Sequence, residues 1–360
     1  MKQRILMVIV NELQNAGVQN VIMSLVRELH EKYCFDILQF SDKNGYFDEE
    51  FKSYGGEIYR LKALDYAQHK LVYPYRAVQI KRALCKILKE KKYIAIHSHC
   101  GWETGICFAV AAREGIPCRI AHAHGMYIWE GKNWIMRGYR CFGTKMTARY
   151  ATGKLACSNV AGKTLFPGAQ FQCVLNPVDV PYYNAVKKIP HKGIRLLQIG
   201  YFQENKNQLF SLTLLQVLRS IGVDAHLTLI GYALDEGYFA QIKECNRKKQ
   251  LGDFVTMLPS DADKREALAE TDYLLFPSRR EGLGLVALES QAAGVPCIMS
   301  DCLPPDANMG GVIFAAYDDV NAWADVILEG HSFDWNAVKT NLQSLSVKNF
   351  AKNIGEWYEM

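Results

Sequence analysis

The stretch IRLLQIGYFQENKNQLFSLTLLQVLRS, Ile194 to Ser220, decides the architecture. A short apolar run ends at Gly200, a polar loop follows, and from Gln208 apolar residues recur at helical spacing, so the segment reads strand, loop, helix. The same succession occurs once before, in RILMVIVNELQNAGVQNVIMSLVREL, Arg4 to Leu29. A strand feeding a helix is the repeating unit of a doubly wound sheet, and two such openings predict two α/β domains. In the first half YIAIHSHC, RIAHAHG, KLACSNV and QCVLNPVDV read as further strands, with the helical ETGICFAVAAREG between the first two. In the second half AHLTLIG, FVTML, DYLLFPS and PCIMSD are apolar runs separated by helical patterns such as EGYFAQIKECNRKKQ and KREALAE. Runs this apolar suit parallel strands covered on both faces.

A chain of 360 residues exceeds the usual size of one core, which again predicts two domains. The expected division is 1–187 for a first α/β domain, 188–345 for a second, and 346–360 for an amphipathic helix crossing back to the first. The linker is placed in NPVDVPYYNAVKKIPHK, Asn176 to Lys192, which has three prolines and no helical period. A cleft between two domains is available for a ligand. Apolar residues make up 49% and charged residues 22%, as in globular chains, and no apolar run is long enough to span a bilayer. The apolar N-terminal run lacks a small-residue cleavage site and stops at Asn11-Glu12, so it reads as a first strand, not a signal peptide. Eleven cysteines scattered without a C-x-x-C pair fit a reducing, cytoplasmic setting.

Within the second half, SRREGLGLVALESQAAGVPCIMSD, Ser278 to Asp301, sets Glu281 and Glu289 around a glycine-broken apolar run. The helix former LVALESQAAG closes on Gly294 with Pro296 beyond, so a helix starts near Gly284 and Leu285 with its N–H groups directed past a strand end. On that helix Leu285, Leu288, Glu289 and Ala292 share one stripe, which places a carboxylate among apolar neighbours. Such a carboxylate needs a partner. Taken alone, the pair reads as a surface helix residue and a loop residue that caps; its context reverses that reading.

The succession of strand, PS, acidic-glycine loop, helix and GVPCIMSD strand resembles the retaining GT-B glycosyltransferases, specifically glycosyltransferase family 4 with its E-x7-E motif. Other matches follow in the family's order. NAGVQNVIMSLVREL resembles its first glycine loop, with Ala16-Gly17 where two glycines are usual. IHSHC and RIAHAHG resemble its histidine-ended strands, with His124-Gly125 at the cleft histidine. LNPVDVPYY resembles the interdomain turn, with Pro177 in place of glycine, and IGYFQENKNQ resembles the stretch supplying a phosphate-binding Arg and Lys. Lys206 matches the lysine; the arginine position holds Tyr201.

The resemblance implies a GT-B fold, two Rossmann-like domains facing each other across a cleft, and a retaining transfer of a sugar from a nucleotide-sugar donor, a UDP-sugar first among them. Breaking a sugar–phosphate bond releases an anion beside an oxocarbenium-like sugar. Lys206, the helix start at Gly284 and Leu285, and the loop at Gly17 would receive the diphosphate. Glu289 would bind the ribose hydroxyls and Glu281 the donor sugar, while His124 would approach the sugar or its phosphate. Glu281 is not assigned as a covalent nucleophile. Gly200, Tyr201, Leu258 at the end of FVTML, Gly282 and Leu283 complete the expected donor site. Without the arginine, Arg279 or Arg280 would compensate for Tyr201. His97, His99 and His122 read as satisfied core or rim residues.

Asp261 and Asp263 in SDADK have D-x-D spacing, but Asp at a helix start more often caps it. No other ligand cluster stands out, and no metal requirement and no cofactor beyond the donor are expected. Residues 1–187 carry 26 Lys+Arg against 15 Asp+Glu. KLVYPYRAVQIKRALCKILKEKK, Lys70 to Lys92, and KNWIMRGYRCFGTKMTARY, Lys132 to Tyr150, interleave the basic residues with aromatics, which suits either a solvated helix face or an anionic membrane surface. No nucleic-acid motif accompanies the charge. A saccharide or lipid-linked saccharide acceptor in cell-surface polysaccharide or glycolipid synthesis, reached at the inner membrane face, follows as the expectation. A nucleotide-sugar epimerase of the same architecture and a silent nucleotide-sugar binder remain the rival readings.

Overall fold

The computed structural model describes residues 2–64, 72–126 and 134–360, and it divides into two compact units. One runs to Pro177 and takes in Val347–Met360; the other is Val178–Ser346. Among the described residues, the first unit holds β1 (Gln3–Ile9), β2 (Tyr33–Gln39), β3 (Ile58–Arg60), β4 (Ala95–Ser98), β5 (Cys118–Ala123), β6 (Gly153–Ala156) and β7 (Gln172–Cys173) in the order β3-β2-β1-β4-β5-β6-β7. The second holds β8 (Ile194–Ile199), β9 (Ala225–Ile230), β10 (Val255–Leu258), β11 (Tyr273–Phe276), β12 (Cys297–Ser300) and β13 (Val312–Ala315) in the order β10-β9-β8-β11-β12-β13. Every pairing is parallel. Ile5 to Val8 in β1 and Leu196 and Leu197 in β8 are buried, as central strands covered on both faces require.

In each sheet the strand order reverses beside the opening strand, between β1 and β4 and between β8 and β11. At such a point the connections on either side leave in opposite directions, and the carboxyl ends of the two strands open onto a crevice. The fold therefore selects the residues after β1 and β4 in one unit, and after β8 and β11 in the other, as places for a ligand.

Three strands escape a reading by apolar runs. β2 carries Asp36 in its middle, wholly buried, with its carboxylate accepting from Arg4 at 2.9 Å, the Tyr93 hydroxyl at 2.7 Å and the Glu57 N–H at 2.8 Å. This network satisfies a charge that would otherwise oppose burial. β3 has three residues, and β13 lies at a sheet edge with Phe314 exposed.

The division falls at Pro177, not after residue 187, because the following segment belongs to the second unit. Asp179 caps a short helix, Val180–Asn184, by accepting from the Tyr182 N–H, and the Val178 N–H donates to Leu345 O at 3.0 Å. Further along, Lys188 Nζ donates to Leu268 O and Thr271 O at 3.1 and 2.7 Å. What reads as linker is thus packed chain. At the other end, the helix Val347–Glu359 buries Phe350, Ile354 and Tyr358 and lies against the helix Gly17–Leu29 within the first unit.

Candidate functional site

In the second unit Gly200 follows β8 directly, and a Cβ at Gly231, just after β9, would stand 2.2 Å from Gly200 O. The two loops approach too closely for any side chain there. Beyond Gly200 a single turn, Glu204–Lys206, ends on Asn207 in the left-handed region, φ 57°, which short polar side chains tolerate. That reversal folds Lys206 back over the sheet end. A Cβ at Gly200 would meet the Lys206 stem at 3.3 Å, and the ammonium lies 5.4 Å from the centre of the Phe276 ring at the end of β11.

Lys206 Nζ donates to Glu281 Oε1 at 2.5 Å, both side chains about 15% exposed. Their two loops are stitched by the backbone: Arg279 N–H donates to Asn205 O, and Asn205 Nδ2 to Arg280 O, each at 2.9 Å. The cation and the carboxylate expected at the donor are thus adjacent at the switch point of one sheet. A charged pair held between loops at a strand end, with its other donor and acceptor positions unfilled by each other, can receive an anion on one member and hydroxyls on the other.

The helix Leu285–Ala292 begins at Gly284, φ +100°, and no side chain caps it. A Cβ on Gly284 would sit 2.7 Å from the Phe276 ring, so glycine is required by backbone and by contact alike. Gly282 and Leu283 lead in, with Leu283 buried. One helical turn after Leu285, Glu289 takes Lys264 Nζ on both oxygens, at 3.0 and 3.3 Å. The buried Tyr183 hydroxyl has its pKa raised by burial and then by the Glu289 charge and hydrogen bond. Leu258, ending β10, accepts from the Gly231 N–H at 3.1 Å. Tyr201 lies against Tyr232, ring centres 4.6 Å apart, with its hydroxyl pKa raised by burial. Arg279 is turned onto Glu204 at 2.8 Å and onto the Tyr317 hydroxyl.

Asp263 caps the helix Lys264–Ala269, accepting from the Arg265 N–H at 2.8 Å. The D-x-D stretch serves this local role, and its neighbour Lys264 supplies the partner of Glu289. Sequence reading missed Lys264 and Tyr183, because nothing in spacings of 25 and 106 residues announces a contact.

In the first unit Gly17 opens the helix Gly17–Leu29 just beyond β1, again with no side-chain cap. β4 and β5 end in four histidines. His97 Nε2 meets His122 Nδ1 at 3.3 Å with the rings 2° from parallel, and His99 Nδ1 meets His124 Nε2 at 2.8 Å. The two edge-to-edge pairs are layered, with centroids 4.3 Å apart for His97 and His99 and 4.1 Å for His122 and His124. Burial lowers the pKa of all four, that of His124 to about 4, so they stand neutral at pH 7. His97, His99 and His122 are core residues as expected; His97 is bonded through both nitrogens, to His122 and to the Tyr358 hydroxyl, whereas His99 Nε2 and His122 Nε2 are buried without a hydrogen-bond partner.

Two parallel-sheet, Rossmann-like units of this kind, with an acidic-glycine loop and a lysine at the second switch point, define a GT-B glycosyltransferase. Residues 16–165 match the family model "Glycosyl transferase 4-like domain" and residues 181–329 match "Glycosyl transferases group 1"; the chain is a glycosyltransferase built from these two domains. It is 26% identical over 338 residues to EpsF of Bacillus subtilis, itself a glycosyltransferase by assignment, covering 89% of this chain and 85% of that one. It is 22% identical to the capsular polysaccharide biosynthesis glycosyltransferase CapH of Staphylococcus aureus, covering 78% and 77%. With the UDP-Gal:alpha-D-GlcNAc-diphosphoundecaprenol alpha-1,3-galactosyltransferase of Escherichia coli it shares 24% identity over 61% of this chain and 60% of that one. The fold is shared with Anabaena HepE, solved in complex with UDP, at a TM-score of 0.75, 15% identity and 99% coverage of both chains.

Proposed function

We propose that this chain is a retaining, metal-independent glycosyltransferase of family 4 type, taking a nucleotide sugar, first among them a UDP-sugar, as donor. The observation that carries the reading is the Lys206–Glu281 pair at the β8/β11 switch point, beside the uncapped helix start at Gly284. Lys206 and the N–H groups at Gly284 and Leu285 bind the diphosphate and stabilise it as it departs, the role a divalent cation has elsewhere. Gly200, Tyr201, Leu258, Gly282 and Leu283 shape the pocket around it. Glu289 accepts from the ribose hydroxyls, held in place by Lys264. Glu281 contacts the sugar's hydroxyls without forming a covalent bond. From the first unit, Gly17 offers backbone N–H groups and His124, kept neutral by burial, offers one hydrogen bond to the sugar or its phosphate.

The acceptor in this reading is a saccharide, carried on a lipid diphosphate, in the synthesis of a cell-surface polysaccharide or glycolipid at the inner face of the membrane. The capsular and undecaprenyl-linked relatives support it, as does an apolar groove of about 360 Å³ in the first unit. Val78, Ala109, Val110, Phe142 and Met146 line that groove, with Lys81 and Arg113 among its walls. A second hollow is lined by Arg137, Arg140 and Lys145. Part of the basic stretch is structural. Arg76 is buried against Phe40 O and Lys62 O, and Lys91 pairs with Glu57. Lys81, Arg82, Lys86 and Lys89 remain for an anionic surface; Lys70 and Lys132 lie outside the described residues. Among the described residues no helix is long and apolar enough to cross a membrane.

Calorimetric titration with UDP, GDP and ADP tests the donor assignment. One-to-one binding of a nucleoside diphosphate, weakened at least about ten-fold in Lys206→Ala, is the expected outcome for one charged contact. Equal affinity in the parent and Lys206→Ala defeats the phosphate role.

A further inference from the structure

The four histidines of the first unit form a cluster that sugar transfer leaves largely unexplained. Of these, the function proposed above uses His124 alone. His97, His99 and His122 are at most 6% exposed, and His99 Nε2 and His122 Nε2 are buried without a hydrogen-bond partner. A buried polar nitrogen left unpaired is unfavourable, and His99 Nε2 stands beside two further ring nitrogens.

One ring nitrogen from each of His97, His99 and His122 lies within 4.8 Å of the others. His97 Nε2 and His122 Nδ1 are already 3.3 Å apart, about the ligand–ligand edge of a tetrahedral centre with bonds of roughly 2.0–2.1 Å. Two of the rings are oriented from behind. His97 Nδ1 is bonded to the Tyr358 hydroxyl at 2.7 Å, and His99 Nδ1 to His124, the outer contacts that fix the tautomer and direction of metal-binding imidazoles. Ligation takes each ring in the tautomer whose proton sits on its other nitrogen, Nδ1 of His97 and Nε2 of His122, so the hydrogen bond between those two rings gives way to the ion.

We propose that His97, His99 and His122 form a binding site for one first-row transition-metal ion of the Zn²⁺ class. His97 binds through Nε2, His122 through Nδ1 and His99 through the nitrogen not bonded to His124. An all-imidazole set favours Zn²⁺, Co²⁺ or Ni²⁺ over Mg²⁺ or Ca²⁺, which take oxygen ligands. The ion ties the ends of β4 and β5 to the terminal helix through Tyr358. A water completes the four-coordinate shell, and the ion takes no part in handling the diphosphate, which stays with Lys206 and the helix start in the other unit.

The test uses the full chain, stripped by dialysis against a strong chelator and titrated with Zn²⁺ against a chromophoric competitor, and with Co²⁺ followed by its visible spectrum. One ion per chain, intense bands of four-coordinate Co²⁺, and a melting temperature raised by Zn²⁺ are expected. His97→Gln and His122→Gln, checked for folding by circular dichroism, should weaken binding by about a hundred-fold or more, the upper range for disturbing a metal centre. His226→Gln, away from the cluster, should not. If the variants fail to fold, the parent's stoichiometry and Co²⁺ spectrum still decide. A parent that takes up no ion at one equivalent, that shows only octahedral Co²⁺ bands, or that binds as well after His97→Gln overturns the proposal.

Discussion

Replacing Glu289 by alanine reads nucleotide binding and stability side by side, because the structure gives the residue a part in each. In the folded protein Glu289 accepts from Lys264, with the lysine side chain 30% exposed and the carboxylate 15%, and it also partners the buried Tyr183 hydroxyl. The pair with Lys264 stabilises the fold by about 1 kcal/mol or less, since the lysine can rehydrate, but a Tyr183 hydroxyl left unpaired costs about 1–3 kcal/mol more. For a unit of this size each kcal/mol shifts the melting temperature by roughly 2–4 °C. The ribose contact is read separately, in the affinity. Losing a charged acceptor from two hydroxyls costs about 1.5–3 kcal/mol, or ten- to a hundred-fold in affinity. Glu289→Gln keeps an acceptor oxygen without the charge and should lose only about two- to ten-fold. Calorimetry with the preferred nucleoside diphosphate, alongside melting curves, reads both. Glu281→Ala serves as the contrast, since its partner is the sugar, and should bind the free nucleotide nearly as the parent does while slowing transfer at least about ten-fold. Unchanged nucleotide affinity in a folded Glu289→Ala protein refutes the ribose assignment.

Three further outcomes follow from particular residues. Gly284→Ala puts a side chain at φ +100° and against Phe276; a loss of about 1–3 kcal/mol and a lower melting temperature are expected, and an unchanged melt contradicts the steric account. Lys188 is pushed down to about 8 by burial, below the roughly 10.4 of an unfolded lysine. The unfolded chain therefore holds the extra proton between those values, and stability rises as pH climbs from about 8 to 10. The difference between parent and Lys188→Met denaturation curves isolates this, and a flat difference contradicts it. Binding to anionic vesicles should fall with salt and with Lys81, Arg82, Lys86 and Lys89 replaced by Gln; binding that survives the replacement makes that stretch a solvated helix face.

The two sheets were legible because their central strands are continuous apolar runs with helices between them; the helix start at Gly284 was legible from its glycines, whereas Gly200, Lys206, Glu281 and Glu289 were singled out by the resemblance to the glycosyltransferases. What escaped depends on distance in sequence. Asp36 disguised β2, since a buried carboxylate looks like a turn until Arg4, Tyr93 and the Glu57 N–H are seen around it. Lys264 read only as the residue after a cap, and the prolines of the segment after Asn176 hid a helix packed on its own unit. His97, His99 and His122, taken singly, read as bland core or rim residues; their meeting with His124 across β4 and β5 comes from the strand register, which no local pattern states.

The central claim is transfer from a nucleotide sugar at the β8/β11 switch point, and turnover measures it most directly. Purified protein is incubated with UDP-, GDP- and ADP-sugars, with and without a lipid-diphosphate-linked saccharide, and both the released nucleotide and the sugar product are followed. The account predicts acceptor-dependent release of one nucleoside diphosphate, with the anomeric configuration retained, no need for added Mg²⁺ or Mn²⁺, and a rate at least about ten-fold lower in Lys206→Ala, the scale of one charged contact. Conversion of the donor without any acceptor makes the protein an epimerase. No turnover with any donor and acceptor, or a Lys206→Ala enzyme as fast as the parent, contradicts it.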